Sequence, residues 1–406
     1  MRISLKSVLN KIIWLLTIFL LVSFLIFETY TWGRYAFFGA SILAVALSAI
    51  AYGGVLRIRL QPYYGFAAVF IAYVAFTSLW SWRSSTTVGV AISLLQIVGC
   101  AAMLYIHYDQ QDDIWALLSA IKWAGYIVSV YAINFYGLEG LGLEEGERLE
   151  SEFANINSIG MTAALACVIQ VHELLCKKSR WSALMMIPAV IMVAATQSRK
   201  ALVYLIVGVL GIYVVNSLMQ RGFSKKIWRT VFSVFLVLGA FYMLLQLPVF
   251  AGLMERMESM LASWTGEGKA DSSAVSRNKM VALGWEYFLK YPIGGIGIGS
   301  SSVLTQRFLG RSTYLHNNYV ELLSGGGIFA FIFYYATHVY VLVNLFKYRK
   351  ADPQAFAIGL VWMALILIMD YGAVSYAGKT RWYYLMIHCL NIGCMKKKSM
   401  VMEHEA

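Results

Sequence analysis

Charge is the first thing this sequence lacks. Only 13% of its 406 residues are Asp, Glu, Lys or Arg, against 60% hydrophobic, and the mean hydropathy is +0.65. A soluble globular domain carries about 25% charged residues, so this composition excludes one and points to a polytopic membrane protein. Proline is scarce too, five in all, and there is no Pro-rich linker and no internal repeat. The five cysteines (Cys100, Cys167, Cys176, Cys389, Cys394) lie in or beside apolar runs, without a CxxC pair and without a histidine at ligand spacing. Neither a disulfide framework nor a zinc site is supported, and the cysteines read as small buried hydrophobes. Acidic residues are outnumbered 21 to 33, giving a net charge of +12. The basic surplus falls in short segments between apolar runs, the pattern of topology signals and anionic-lipid contacts rather than of nucleic-acid binding.

Runs of about 20 apolar residues, enough to cross a bilayer, recur along the whole chain. Twelve are expected, at 10–30, 35–56, 62–82, 86–106, 114–136, 155–175, 181–197, 200–219, 229–248, 318–345, 354–373 and 381–395. The expected fold is an all-α integral membrane protein, a single polytopic domain over 1–406. The first run follows Arg2, Lys6 and Lys11 as a signal peptide would, but no small-residue cleavage site follows it, so it reads as a retained helix. With those three residues, the segments at 57–59, 177–180, 221–229, 347–350 and 396–398 hold 18 of the 33 Lys and Arg. The positive-inside rule puts this set, and with twelve spans both termini, in the cytoplasm. The acidic stretch 107–113 falls on the same side against the trend.

Two long loops then face outward. One, 137–155, has six acidic residues and a single base, Arg148. The other, 249–317, is long enough for a small external subdomain. Within it, 278–290 places Val281, Trp285, Phe288 and Leu289 at helical spacing, as in an amphipathic helix lying in the membrane interface. Pro292 stops that helix, and the glycines of YPIGGIGIGS (291–300) permit tight backbone turns. This stretch lacks GK[ST] and follows a helix rather than a strand, so it is not a nucleotide-binding loop.

Three residues on this outward face suit one chemistry: Arg199 in ATQSRKA, Arg277 in AVSRNKM and His316 in YLHNNYVE. Arginine is always charged and its planar fork matches phosphate oxygens. Histidine accepts a proton near neutral pH. Together they suit attack of an alcohol on a carbon whose leaving group is a membrane-anchored diphosphate, with cations stabilising the growing charge. The outer loops carry no DxD or DxE pair, so the cations would stand in place of a metal. Glu321, one turn past His316, is a second candidate base. Plain readings stand beside these. Arg199 with Lys200 also reads as an anchor between two spans, Arg277 as a surface charge, Arg148 as a partner of its acidic neighbours. Asn317 and Asn318 also read as helix caps. Lys122 is the only cation well inside a span, where it snorkels or pairs within the bundle.

Four stretches, in order and all on the outward face, resemble the O-antigen ligase/polymerase family of bacterial surface-glycan enzymes. They are ERLESEFANINSIG (147–160), TQSRKALVYLIVGVLG (196–211), SRNKMVALGWEYFLKYPIGGIGIGS (276–300) and YLHNNYVELLSGGGIFAF (314–331), so the family-like core covers 147–331. The resemblance implies a metal-independent, inverting glycosyltransferase, without cofactors, of the bacterial inner membrane. Its donor would be an undecaprenyl-pyrophosphate-linked oligosaccharide and its active site would face the periplasm or exterior. It implies that Arg199 and Arg277 contact the pyrophosphate and that His316 activates the acceptor hydroxyl. Arg148 and Asn157 would shape the donor or lipid-facing part of the site, with Asn317 and Glu321 beside them. Two departures are visible. Lys200 stands where the family often has Gly, and ANIN lacks the proline of the family's Pro-Asn pair.

On this reading the chain polymerises repeat units into O-antigen, capsule or exopolysaccharide. The alternative is a ligase that moves finished polymer onto lipid A-core or another surface acceptor. A chain-length regulator and a flippase of the same pathway are the implied partners. A glycolipid transporter or flippase is the third reading. It would place ionisable residues at mid-membrane in related halves, whereas here charge gathers at one rim.

Overall fold

The computed structural model describes residues 4–26, 31–59, 61–137, 141, 155–177, 181–221, 227–265 and 272–405. Its helices are α1 (Leu5–Ile26), α2 (Thr31–Ala51), α3 (Pro62–Phe76), α4 (Ser84–Gln111), α5 (Ile114–Tyr136), α6 (Ile156–Lys177), α7 (Ile187–Ala195) and α8 (Arg199–Arg221). They continue as α9 (Ile227–Leu245), α10 (Ala251–Thr265), α11 (Ser272–Lys290), α12 (Ser301–Leu309), α13 (Asn318–Tyr348), α14 (Pro353–Asp370) and α15 (Lys379–Glu405). Each of the twelve expected spans falls on a helix. Among the described residues eight helices are long and apolar enough to cross a membrane: α1, α3 with the turn after it, α4, α5, α6, α8, α13 and α14. Shorter apolar helices cover 35–51, 183–195 and 234–245. The chain is an all-helical, multi-pass membrane protein.

The expected span 181–197 is broken. A 3-10 turn (Trp181–Met186) leads into α7, which is only nine residues long and has Pro188 in its first turn. Proline has no N–H to donate to the preceding turn, so a new helix begins there. The described residues of the long 249–317 segment form three helices, α10 to α12, where the sequence pattern marks only one. That one, α11, begins at Ser272 and packs a second face, apart from the expected membrane-facing one, against the protein. Met280, Gly284 and Tyr287 point inward, while Trp285 and Leu289 remain 47% and 63% exposed. The helix therefore carries apolar residues on two sides, one packed on α13 and one left open.

The glycine-rich stretch 291–300 is a docking surface for backbone. Ile296 N–H donates to Ser324 O at 2.9 Å and Ile328 N–H to Pro292 O at 2.8 Å, joining the stretch to α13. α13 breaks its helical geometry at Gly327 (φ 64°, ψ −165°), where a Cβ would collide with the backbone of Ile293 and Gly294. Only glycine combines that φ with that approach.

Buried charge is paired. Lys122 Nζ meets Glu173 Oε2 at 2.5 Å between α5 and α6, so the deep cation pairs within the bundle. The anomalous acidic stretch also finds its reason. It forms the last turns of α4, where Asp109 pairs with Arg59 at 3.6 Å and Asp112 with Lys397. Lys398 pairs with Asp352 at 2.5 Å nearby. The acids thus neutralise the basic segments at one end of the bundle. At the opposite end lie the starts of α6, α8, α13 and α15, and there the candidate site is built.

Candidate functional site

His316 sits in the turn that leads into α13, and both flanks of that turn are fixed. Before it, the Thr305 hydroxyl of α12 donates to Thr313 O at 2.7 Å and accepts from Thr313 N–H at 3.1 Å. Leu315 is fully buried, and its N–H donates to Glu321 Oε2 at 2.9 Å. After it, Asn317 caps α13 by accepting from Val320 N–H at 3.1 Å. Between these fixed points His316 adopts the left-handed region at φ 60°. A non-glycine residue pays strain there, and such strain concentrates at functional positions. Its ring lies against Tyr314, centroids 4.3 Å apart.

The cations come from two other segments, α11 and α8, and from Arg311 in the same connection. Burial first, and then the charges of Arg277, Lys200 and Arg311, push the His316 pKa down to about 4. Arg277 reaches this point because α11 docks closely. Met280, Leu315 and Val320 form one buried cluster, and a Cβ on Gly284 would overlap the side chains of Leu315 and Val320. Lys200 arrives in the first turn of α8. Its neighbour Arg199 is half-buried as the first residue of that helix, but the α8 charge that bears on His316 is that of Lys200.

The starts of α6 and α8 are stitched together. Asn155 Oδ1 accepts from Asn157 N–H at 3.0 Å and caps α6. The Ser198 hydroxyl donates to Asn157 Oδ1 at 2.9 Å and accepts from Ala201 N–H at 3.3 Å, capping α8. Gln197 turns the chain between α7 and α8 at φ 44°. The ANIN and TQSR stretches are therefore one joint in space, which presents Asn157 and Lys200 on the same wall.

Glu321 is buried, and both of its oxygens are engaged, Oε1 by the Ser301 hydroxyl and Oε2 by Leu315 N–H. Asn318, fully buried, accepts from the N–H groups of Ser375 and Tyr376 at 2.8 and 2.9 Å and donates to Tyr335 at 3.0 Å. Arg148 lies outside the described residues. Among the described residues no three His, Cys, Asp or Glu side chains gather as metal ligands.

Beside His316 opens a cavity of about 300 Å³. Its wall includes Tyr314, Lys200, Asn157, Ser375, Lys379 and Arg381. A second cavity of about 400 Å³, lined by Lys6, Lys11 and Trp14 among others, lies at the opposite end and holds none of the site residues.

The charges of Arg277, Lys200 and Arg311 thus bear on His316, and Arg381 lies on the wall of the adjoining cavity. Lys200 reads from sequence as a departure from a family pattern. Arg311 stands five positions before His316, outside the stretches that the sequence singles out. Asp370 and Arg381 leave a signal that sequence reasoning passed over, an acid ending one apolar run and a base opening the next. No curated protein matches this chain. Residues 184–335 match the model of the family described as O-Antigen ligase, so the chain carries a domain of that family, with Arg199, Arg277, His316, Asn317 and Glu321 inside the matched segment.

Proposed function

We propose that this chain is a repeat-unit polymerase, which extends a surface polysaccharide from undecaprenyl-pyrophosphate-linked oligosaccharides on the outer face of the bacterial inner membrane. One observation carries the reading: a histidine held neutral among three cations, two of them brought by α8 and α11 from elsewhere in the chain. Neutral His316 has a free lone pair at pH 7. It takes the proton of the acceptor hydroxyl as that oxygen attacks the anomeric carbon of the donor. The bond from that carbon to the diphosphate oxygen breaks, and the electron pair leaves with the diphosphate. Arg277, Lys200 and Arg311 stabilise the departing charge, in the position where fixed cations contribute most. A single displacement of this kind inverts the anomeric centre, and no metal is required by the arrangement.

The cations that depress the His316 pKa also tune it. A bound diphosphate offsets their charge, so the histidine becomes more basic when the donor is in place. Base strength then rises at the moment it is used. Arg199, adjoining Lys200, supports donor binding. Glu321 holds the His316 turn through Leu315 and acts as a positioning residue, and Asn317 does so as the cap of α13.

The test is a gel of surface glycan from a deletion strain complemented with the wild-type or the His316→Ala protein. The proposal expects a ladder with the wild type and a single repeat unit on the acceptor with the variant, at equal membrane abundance. Bare acceptor, with polymer accumulating on undecaprenyl pyrophosphate, assigns the chain as a ligase instead.

A further inference from the structure

The cavity next to His316 carries a feature that the transfer chemistry above does not use. Arg381, at the start of α15, is 8% exposed and lines this cavity. Its Nη2 donates to Asp370 Oδ1 at 2.5 Å. Asp370 is fully buried and saturated. Oδ1 also accepts from the Ser375 hydroxyl at 2.6 Å, and Oδ2 accepts from Tyr335 at 2.9 Å and from Asn318 at 3.4 Å. The guanidinium is therefore locked in orientation by one edge. Its other amino group, Nη1, is buried and has no hydrogen-bond partner. A buried charged donor left without an acceptor is costly.

The surroundings indicate what kind of acceptor fits. Lys200 and Lys379 line the same cavity, and among the described residues no carboxylate does. Three cations around a space of about 300 Å³ suit an oxyanion of the phosphate class, for which a pre-oriented guanidinium is the preferred ligand. The remaining wall is mixed: Asn155, Asn157, Ser158 and Thr162 line one part of it, and Phe24 and Leu25 of α1, Leu165 of α6 and Met369 of α14 give it an apolar side. A cation cluster beside an apolar side matches an amphiphile, a phosphate with a hydrocarbon chain attached. The cavity is also continuous with the catalytic cluster, because Lys200 and Tyr314 belong to both.

We infer that this cavity binds the phosphate oxyanion of a prenyl-linked substrate, with Arg381 as its pre-oriented ligand and Lys200 as the charge it shares with the His316 cluster. Arg381 and Asp370 lie outside the matched family segment, which ends at residue 335, whereas Lys200 and Tyr314 lie inside it. The inference rests on the proposed transfer only for the identity of the group carried by the lipid. Anion recognition by Arg381 stands on the geometry alone.

Binding of farnesyl diphosphate, inorganic pyrophosphate and uncharged farnesol to the purified full chain tests it. Wild type is expected to bind farnesyl diphosphate more tightly than pyrophosphate, and farnesol weakly. Arg381→Lys keeps a cation for Asp370 but loses the free amino group. It is expected to weaken binding of both diphosphates by roughly tenfold or more, the loss of one charge-assisted hydrogen bond. His316→Ala is expected to bind as wild type while losing glycan transfer, so failure of the pocket and failure of the transfer reading are separable. Equal affinity for pyrophosphate and farnesyl diphosphate supports recognition of the oxyanion but assigns no subsite to the prenyl chain. If Arg381→Lys does not fold, Lys379→Gln, on the cavity wall and outside the His316 cluster, decides, with an expected loss of the same order. Unchanged affinity in the folded Arg381→Lys variant overturns the inference. So does farnesol binding as tightly as farnesyl diphosphate, or binding abolished by Arg277→Gln and not by Arg381→Lys.

Discussion

Glu321 accepts a hydrogen bond from the backbone N–H of Leu315 at 2.9 Å, immediately before His316. The carboxylate of one helical turn thus holds the backbone of the turn that precedes it, and with it the strained φ of the histidine. Its second oxygen is engaged by the Ser301 hydroxyl. Glutamine can reproduce both contacts, with its carbonyl accepting from Leu315 and its amide donating to the serine oxygen. Glu321→Gln is therefore expected to keep transfer within about tenfold of wild type, whereas Glu321→Ala releases the turn. A misplacement of about 1 Å at a reacting group costs on the order of 100-fold, and Glu321→Ala is expected to lose that much. Turnover of lipid-linked donor by the purified variants measures both. A glutamine variant as inactive as His316→Ala would make Glu321 the base.

The depressed pKa of His316 sets the shape of the pH profile. Its ordinary value is about 6.5, and burial with three neighbouring cations brings it to about 4. The neutral form is the active base, so kcat/KM is expected to hold down to about pH 5 and to fall only below that. Arg311→Gln removes one of the charges that disfavour the imidazolium. The folded pKa then rises, and the acid limb moves to higher pH. The wild-type and Arg311→Gln profiles, taken with the same donor, check the sign. A limb that stays in place or moves to lower pH contradicts the cluster.

Much of the fold is legible in the sequence because a membrane span is a long local pattern, and each expected run falls on a helix. The break before α7 is legible too, given Pro188, once its effect on the preceding turn is weighed. What the sequence hides is which face of a helix is covered. In α11 the exposed Trp285 and Leu289 advertise an apolar side, but Gly284, with no side chain to read, marks the side that packs against Leu315 and Val320. The site shows the same limit. His316 and Arg277 stand out by residue type. Arg381 lies 65 positions beyond His316, and nothing local says that Asp370 orients it toward a shared cavity.

The junction between residues 291–300 and α13 predicts a strong response at one position. Gly327 has a positive φ, and a Cβ there meets the backbone of Ile293 and Gly294 rather than a movable side chain. Gly327→Ala is expected to destabilise the protein by more than about 1 kcal/mol, because neither the conformation nor the space admits alanine. Gly39, where a Cβ meets nothing within 4 Å, is the control, and Gly39→Ala is expected to be neutral. Thermal unfolding of both variants in the same detergent makes the comparison.

The pair between Lys122 and Glu173 separates a structural charge from a transported one. The two side chains are 10% and 15% exposed and meet at 2.5 Å. Removing one partner strands the other in an apolar bundle, so Lys122→Met is expected to lower stability by roughly 3 kcal/mol. Replacing both, Lys122→Met with Glu173→Met, removes the stranded charge, and stability is expected to return to near the wild-type value or above it. A charge that served a transport path would not be dispensable in this way, since deleting it would abolish movement of substrate whatever the stability. The double variant is expected to retain glycan extension in the complementation assay at normal abundance. Recovery of folding without recovery of extension would place this pair in the functional path, and would return the transporter reading to consideration.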